Sequence, residues 1–307
     1  MQKNIDLVYL WVEGSDSEWL KKKNTFLDQN VNINNVKGRY QNNNELKYSL
    51  RSVSKHLPWI RKIFIVTDNQ IPDFIDTNNT KITIVDHSEI MPKEILPTFN
   101  SSIIDYFIHN IPDLSERFIF SNDDCFVNAD LSPTFFFKDG LPICRMIPSH
   151  KFINKLRIDK FLNRYVGTYH LGILRALKLI KKKYGVFYKI RPHHNIDAYL
   201  KSDYKKTADI FSNQIQKTLL NRFRKKNDIQ RILFDCYALA NKRAHLEYVT
   251  HKESGLIQLN DSNFQEYISN SPKLFCLNDT EFTTEKDREK VVPFLEKLFP
   301  IKSEFEI

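Results

Sequence analysis

The sequence lacks the features that mark several common protein classes. Of its 307 residues only 7 are glycine and 4 are cysteine, while 13% are aromatic. This composition argues against a collagenous, low-complexity or long disordered chain. The cysteines are far apart and form no CxxC pair, so we expect buried thiols in a reducing compartment and neither a zinc site nor a disulfide framework. They are Cys125, Cys144, Cys236 and Cys276.

Long apolar runs are absent too. Residues 1–14 contain no uninterrupted apolar stretch of the kind that a secretory signal needs. Nothing elsewhere approaches the roughly 20 apolar residues of a membrane-spanning helix. We therefore expect a cytoplasmic protein. Its formal charge of +9 favours an anionic partner such as a nucleotide, a phosphate polymer or an acidic lipid.

Four stretches have the aromatic and β-branched composition of buried strands, and polar residues follow each of them. They are residues 5–11, 62–67, 81–85 and 117–121. Between them lie helical patterns. The clearest covers residues 45–57, with leucine or valine at positions i, i+4, i+7 and i+11, and Pro58 ends it. Alternating strands and helices predict an α/β fold with a mostly parallel sheet and one polar edge.

The stretch at 117–121 leads directly into Asn122, Asp123 and Asp124. In a parallel α/β sheet, ligand-binding groups gather just beyond the carboxyl ends of the strands. Two carboxylates and an amide at that edge could hold Mg²⁺ or Mn²⁺, which are hard cations that prefer oxygen ligands. The alternative interpretation is an Asx turn that caps the strand.

Three further polar clusters each fit a structural and a functional interpretation. Asp105 and His109 are four residues apart in a predicted helix at 101–110, and form either a surface ion pair or an acid–base couple. Two adjacent histidines begin at His193, before a predicted helix. Arg224 belongs to an RFRKK run, which is either a solvated basic face or a phosphate clamp.

Composition changes after residue 150. Between residues 151 and 192 there are twelve Lys and Arg residues and one acid, Asp159. The amphipathic part of this segment either packs its Leu/Ile stripe on the domain or contacts a polyanionic acceptor or an anionic membrane surface. From Arg191 the patterns are mostly helical, at 197–206, 210–222 and 228–240. We divide the chain into an α/β core (1–150), a basic insert (151–190) and a helical portion that completes the core and the active site (191–307).

Long strings of this sequence, in order, resemble the four conserved blocks of one protein family. The first is IDLVYLWVEGSD (5–16). The second runs from RYQNNNELKYSLRS (39–52) through PWIRKIFIVTDNQIP, IVDHSEI and LPTFNSSIID to IPDLSERFIFSNDDCF (111–126). The third comprises RPHHNID (191–197) and NRFRKKNDI (221–229), and the fourth KLFCLND (273–279) with FPIKSEFE (299–306). The resemblance is to the Stealth family of sugar-1-phosphate transferases, which make bacterial capsule polysaccharides and include the catalytic subunit that tags animal lysosomal enzymes with GlcNAc-1-phosphate.

The resemblance implies a Rossmann-like, GT-A-like nucleotide-sugar core. It also implies transfer of a hexose-1-phosphate from a UDP-sugar to a hydroxyl of an oligo- or polysaccharide acceptor, with Mg²⁺ or Mn²⁺ as cofactor and UMP as leaving group. Peripheral membrane contact through residues 151–190 is compatible with this activity, and nucleic acid is not an expected partner. Two alternatives stay open: a metal-dependent glycosyltransferase that releases UDP, and a non-catalytic module that binds polyanions or membranes.

The resemblance also implies roles for individual residues. The catalytic set is Asp105, His193 as general base, Arg224 on the migrating phosphate, and Asp124. The metal ligands are Asp124 with Asp123, Asn122 and Asp279. The donor pocket comprises Glu13, Gly14, Asp16, Arg39, Glu45, Arg51 and Asn278. The family usually has Asp where Glu13 stands and Glu where Asp105 stands, which shifts each carboxylate by one methylene.

Overall fold

A five-stranded sheet lies at the centre of the computed structural model, which describes residues 4–27, 37–261 and 272–307 apart from the side chains of residues 37 and 39. Its strand order is β3–β2–β1–β4–β9. The strands are β1 (Ile5–Leu10), β2 (Ile63–Thr67), β3 (Ile82–Asp86), β4 (Arg117–Asn122) and β9 (Asp197–Leu200). The first four are parallel, and β9 runs antiparallel to β4. This topology confirms the predicted α/β class and its mostly parallel sheet.

Twelve α-helices are described, joined by three short 3₁₀ helices (Lys37–Tyr40, Lys93–Ile95 and Asp105–Asn110). In the first half of the chain they are α1 (Ser17–Thr25), α2 (Glu45–His56), α3 (His87–Ile90), α4 (Ser101–Ile104), α5 (Pro133–Phe136) and α6 (His150–Phe161). In the second half they are α7 (Thr168–Tyr184), α8 (Lys201–Ile210), α9 (Ser212–Gln216), α10 (Ile232–Ala240), α11 (Glu285–Arg288) and α12 (Val291–Leu298).

Both faces of the central sheet are buried, as a parallel sheet requires. Successive side chains of a strand point to opposite faces, so neighbouring residues join different cores. Val8 and Phe120 face the core formed with α7, α8 and α10. Leu7 and Ile119 face the core formed with α2, whose leucines fall at the predicted helical spacing. The sheet is thereby held rigidly, and its carboxyl edge is the part left free for a ligand.

A small second sheet folds back onto that edge. It contains β5 (Cys125–Val127), β12 (Leu274–Asn278) antiparallel to it, and β11 (Ser254–Gln258) parallel to β12. The backbone N–H of Leu277 donates to the carbonyl of Asp124 at 2.9 Å. The late strand expected at 273–277 therefore exists but lies outside the central sheet, and it brings Asn278 beside the polar turn after β4.

A third sheet packs beside the core. It consists of β6 (Phe137–Lys138), β7 (Leu141–Pro148), β8 (Ile190–Pro192) and β10 (His245–Tyr248), with β7 paired to the other three. The portion from Arg191 onward is therefore less helical than predicted. The helix expected at 197–206 begins with strand β9, because these four buried residues pair with β4. The helix expected at 210–222 is only the short α9.

The packing of helix α7 distinguishes the two interpretations of its amphipathic pattern, which were packing on the domain and contact with a polyanion or membrane. Its Leu/Ile stripe, including Ile173, Leu177 and Ile180, is fully buried in the core that contains α10, while the lysines at 181–183 are exposed. The stripe therefore packs on the domain. Among the described residues, no helix is both long and apolar enough to cross a membrane.

Candidate active site

A cavity of about 420 Å³ opens at the carboxyl ends of β1, β2 and β4. One side is aromatic and is built from Trp11, Trp19, Tyr40 and Phe99. The ring of Trp19 lies 5.2 Å from that of Tyr40 and 5.4 Å from that of Phe99, so the three rings support one another. The other side is polar and carries Asn122, Asp123, Asp124, Glu45, His194, Arg224 and Asn278.

Three carboxyl groups lie together on the polar side. Burial raises the pKa of Glu45 to about 7, although its oxygens accept two hydrogen bonds from Asn43 at 2.6 Å. Burial and the neighbouring charges of Asp124 and Glu45 raise the pKa of Asp123 well above its usual range. Burial also raises the pKa of Asp124, with the nearby His194 acting against it. Burial and mutual repulsion therefore oppose ionisation of these three groups, and a bound cation would favour it; carboxylate oxygens are the donors that Mg²⁺ and Mn²⁺ prefer.

Two thiols lie beneath this cluster. Cys125 and Cys276 stand opposite each other across β5 and β12, and their sulfur atoms and a carboxylate oxygen of Asp124 lie within 4.8 Å of one another. Their mutual hydrogen bond and burial raise the pKa of Cys276 well above its usual range, so the thiols stay protonated. All four cysteines are free and buried, as the sequence predicts.

Asp279 has a partner other than a metal. Both of its carboxylate oxygens accept hydrogen bonds from Arg288, at 2.7 and 3.0 Å. A Cβ atom at Gly38 would come within 2.4 Å of Asp279 Oδ1, so the glycine lets the backbone pass this ion pair. The predicted metal ligand thus shapes the wall of the cavity, with its charge already neutralised. Its neighbour Asn278 lines the cavity as expected.

The two adjacent histidines differ in their surroundings. Both ring nitrogens of His193 are occupied: Nδ1 is 2.9 Å from Ser254 Oγ, and Nε2 is 3.1 Å from Asp197 Oδ1. His194, in contrast, lines the cavity near Asp124. Its backbone φ of +59° lies in the left-handed region, a strained conformation for a histidine. Burial lowers the pKa of His194, so its ring is neutral at pH 7. The structure therefore places His194 in the cavity, whereas the ring of His193, the predicted general base, is held by Ser254 and Asp197.

A buried ionic network supports the far end of the site. Arg231 lies between two carboxylates, 3.1 Å from Asp197 Oδ2 and 3.5 Å from Asp105 Oδ1, with its guanidinium 3.7 Å from the centre of the Phe120 ring. Burial would raise the pKa of Asp197, but His193 and Arg231 outweigh it and hold that pKa low. Burial dominates at Asp105, and its pKa is raised. Asp105 Oδ1 accepts no hydrogen bond among the described residues.

A smaller cavity of about 80 Å³ adjoins the first. Asn122, His194 and Arg224 line both cavities and form their common boundary. The smaller cavity is further lined by Asp105 and by Tyr169, the second residue of α7. The basic insert therefore contributes directly to the site, through the first turn of α7.

Arg224 stands where the two cavities meet. Its Nη2 donates to Ser101 Oγ at 2.6 Å, and its buried Nε has no hydrogen-bond partner among the described residues. Asp105 and Arg224 thus both carry unused hydrogen-bonding capacity at the site. His109, expected as a partner of Asp105, lies instead against the ring of Tyr204 at 6.4 Å, because residues 105–110 form a 3₁₀ helix in which positions i and i+4 do not align.

Three predicted donor-pocket residues organise the loop after β1 and do not line the cavity. Asp16 Oδ1 accepts the backbone N–H of Trp19 at 2.7 Å and caps α1. Glu13 accepts hydrogen bonds from Ser15 and from the side chain of Asn42. A Cβ atom at Gly14 would lie 1.7 Å from the carbonyl oxygen of Tyr40, so only glycine fits there.

Arg51 is also placed away from the cavity. Its Nε and Nη2 donate to the two carboxylate oxygens of Glu306 at 2.9 Å, and its Nη1 donates to Glu296 and to the carbonyl of Phe299. Arg51 thus ties α2 to the C-terminal segment and does not line the cavity, and its role as a donor ligand stays a prediction. The side chain of Arg39 lies outside the described residues. Of the three described side chains predicted for the donor pocket between residues 16 and 51, only Glu45 lines the cavity.

Sequence reasoning missed several members of the site. Trp11 sits at the end of the first strand and could have been chosen by the rule that selected Asn122. Trp19, Phe99 and Arg231 carry no comparable signal, because they reach the site only through the packing of distant segments.

Comparison with known proteins identifies the family of this chain. Residues 3–31, 39–143 and 268–307 match the models of Stealth protein conserved regions 1, 2 and 4. The capsular polysaccharide phosphotransferase fcs1 of Haemophilus influenzae is 35% identical over 90% of this chain and 78% of its own length. The exopolysaccharide phosphotransferase cps2G of Lactiplantibacillus plantarum is 32% identical, over 99% and 96%. The capsular polysaccharide phosphotransferase WcwK of Streptococcus pneumoniae is 29% identical, over 99% and 98%.

Among solved structures, the galactosyltransferase LgtC in complex with donor and acceptor sugar analogues covers 97% of this chain and 98% of its own, at 11% identity and a TM-score of 0.47. At that score the likeness is one of general outline. The sequence similarity is far stronger, since it extends over most of the chain in several relatives. The protein therefore belongs to the Stealth family.

Proposed function

We propose that this protein transfers a hexose-1-phosphate from a UDP-sugar to a hydroxyl of a carbohydrate acceptor, in the synthesis of a capsular or other cell-surface polysaccharide. The reaction forms a phosphodiester and releases UMP. One observation carries the proposal: a single cavity combines aromatic walls, a carboxylate cluster, a neutral histidine and Arg224, whose Nε has no hydrogen-bond partner among the described residues. The names of its relatives, which are capsular and exopolysaccharide phosphotransferases, point to the same reaction class.

The larger cavity suits a nucleoside diphosphate. Trp11, Trp19, Tyr40 and Phe99 offer apolar surface for a base and a ribose. Asp123 and Asp124, with the amide oxygen of Asn122, would hold the Mg²⁺ or Mn²⁺ ion. Such an ion neutralises the charge of the diphosphate and of the leaving phosphate. We leave Asp279 out of this proposed set because each of its oxygens already accepts a hydrogen bond from Arg288.

His194 is suited to accept the proton of the acceptor hydroxyl. A buried, neutral imidazole can take up a proton as the oxygen attacks phosphorus, and the nearby carboxylate of Asp124 favours the imidazolium that results. As the new phosphorus–oxygen bond forms, the bond to the UMP oxygen breaks. Arg224, with its unused Nε, lies where it can stabilise negative charge on the phosphoryl group in transfer.

The smaller cavity suits the hexosyl group of the donor. At about 10–15 Å³ for each water, its 80 Å³ accommodates roughly six waters, comparable to one monosaccharide and too small for a polymer. Asp105 and Tyr169 can hydrogen-bond to sugar hydroxyls, and Arg231 keeps the Asp105 carboxylate in place. His193 then has a positioning role, since its bond to Asp197 fixes the strand that follows His194.

The test is to measure which nucleotide is released from a panel of UDP-sugars with Mg²⁺ or Mn²⁺ and capsule-type oligosaccharide acceptors. Acceptor-dependent UMP is expected from the wild type, and its loss from Asp124→Ala. Asp73→Ala, at an exposed position away from the cavity, is the matched control and should keep full activity. Acceptor-dependent UDP would refute phosphoryl transfer and identify a conventional glycosyltransferase, which requires much the same groups.

A further inference from the structure

Four large apolar side chains are exposed together at the end of α6. Ile158, Phe161, Leu162 and Tyr165 have exposed fractions of 55%, 85%, 49% and 79%. Ile158, Phe161 and Leu162 are three and four residues apart, which places them on one side of the end of the helix, and Tyr165 follows in the connection to α7. We call these four residues the α6 surface. No other stretch of eight described residues carries so many exposed large hydrophobic side chains.

The opposite side of the same helix is firmly anchored. Ile153 and Leu156 are buried in the core that also holds α7. The α6 surface therefore belongs to a fixed helix with two apolar sides, one of which stays exposed among the described residues. Clustered exposed apolar side chains cost solubility and usually mark an interaction site.

The charged side chains of α6 and of the connection that follows it are almost all positive. Lys151, Arg157 and Lys160 are exposed on the same helix. The only acid of this segment, Asp159, is already paired with Lys155 and with Arg164. A second copy of this chain would bring like charges together, so self-association through this surface is unfavourable. An anionic lipid surface matches both the apolar and the basic side chains.

We propose that the α6 surface docks the protein on an anionic lipid bilayer. Phe161, Tyr165 and their two aliphatic neighbours enter the interface between headgroups and acyl chains, and the lysines and arginines contact the headgroups. This docking does not depend on the transferase activity. It assigns membrane contact to α6, whereas the stripe of α7 that the sequence suggested is buried.

Docking would also orient the active site. Helix α7 follows the α6 surface after a short connection, and its first turn supplies Tyr169 to the smaller cavity. Tyr165 precedes Tyr169 by only four residues, so the docked bilayer would lie near the cavity that is proposed to bind the sugar. A membrane-associated acceptor would meet the site from that side.

Flotation of the full chain with lipid vesicles tests the proposal. Vesicles of phosphatidylcholine alone are compared with vesicles that also contain phosphatidylglycerol. We expect binding to the anionic vesicles only, weakened by salt. Phe161→Ser should weaken binding to the anionic vesicles about tenfold, because one aromatic side chain no longer enters the bilayer interface. Ile301→Ser, at a position 79% exposed on the C-terminal segment, is the matched control and should bind like the wild type.

A second variant addresses the charges. Replacing Lys151, Arg157 and Lys160 by Gln should lower binding roughly fivefold per charge and remove most of its salt dependence. These side chains are exposed, so both variants should melt like the wild type. Equal binding of wild type and Phe161→Ser would overturn the proposal, as would equal binding to neutral and anionic vesicles. Concentration-dependent dimerisation that Phe161→Ser abolishes would also overturn it, because the surface would then be an interface between copies.

Discussion

Replacing Arg51 by Met should destabilise the protein strongly while sparing the active site. The side chains of Arg51 and Glu306 are only 3% and 1% exposed, and two hydrogen bonds of 2.9 Å join them. Removing the cation leaves a buried carboxylate without its partner, which costs about 3–5 kcal/mol in the free energy of unfolding. At about 2 °C per kcal/mol for a chain of this size, the melting temperature should fall by roughly 6–10 °C.

Two further variants isolate the cause. Arg51→Met combined with Glu306→Gln should recover a large part of the loss, because no buried carboxylate then remains without its cation, and Glu296, the other partner of Arg51, is half exposed. Lys47→Met removes a weaker partner of Glu306, 3.9 Å away and 29% exposed, and should cost less than about 1 kcal/mol. Thermal and urea unfolding provide the measurement, and donor KM is measured well below the melting temperature.

The dependence on pH follows from the same ion pair. Burial alone would raise the pKa of Glu306, but Arg51 outweighs it and the pKa lies below 4.5. The carboxylate therefore stabilises the fold above pH 4.5, and this contribution is lost as the pH falls through its lowered pKa. The difference in the free energy of unfolding between the wild type and Arg51→Met should therefore narrow as the pH falls below 4.5. An unchanged melting temperature with a raised donor KM would refute the reasoning and return Arg51 to the donor site.

Three other predictions concern separate parts of the molecule. His194→Gln should reduce turnover at least about 100-fold without unfolding the chain, and unchanged turnover would exclude His194 as the general base. The wild-type rate should fall on acidification only below pH 6.5, because burial lowers the pKa of His194. Gly14→Ala should cost about 1–3 kcal/mol in chemical denaturation, since its Cβ would meet the carbonyl of Tyr40, and a neutral result would contradict the close approach. Exchange of the exposed lysines at 181–183 for Gln should leave turnover of a small soluble acceptor unchanged, whereas a loss would place them at the site.

The local hydrophobic pattern of the sequence predicted those strands and helices whose burial is regular along their length. The strands of the central sheet are buried on both faces, so their continuous apolar sequences are distinctive, and α2 follows its leucine spacing from Glu45 to His56. Strand β9 was mistaken for a helix because only four residues pair with β4, and nothing in DAYL distinguishes an added edge strand from a first helical turn. Pairing with a distant strand overrode local preference there.

The sequence by itself determined the α/β class, the polar edge after β4 and, through long ordered strings, the family. The sequence could not show which of two adjacent residues of the same type lines the cavity, or whether a given arginine lies in the site. Whether His193 or His194 enters the cleft depends on the left-handed backbone at position 194, and Arg51 meets Glu306 across 255 positions of the chain. Only the tertiary structure decided these, because a side chain's role follows from the charges and cavities around it, and those come from distant segments.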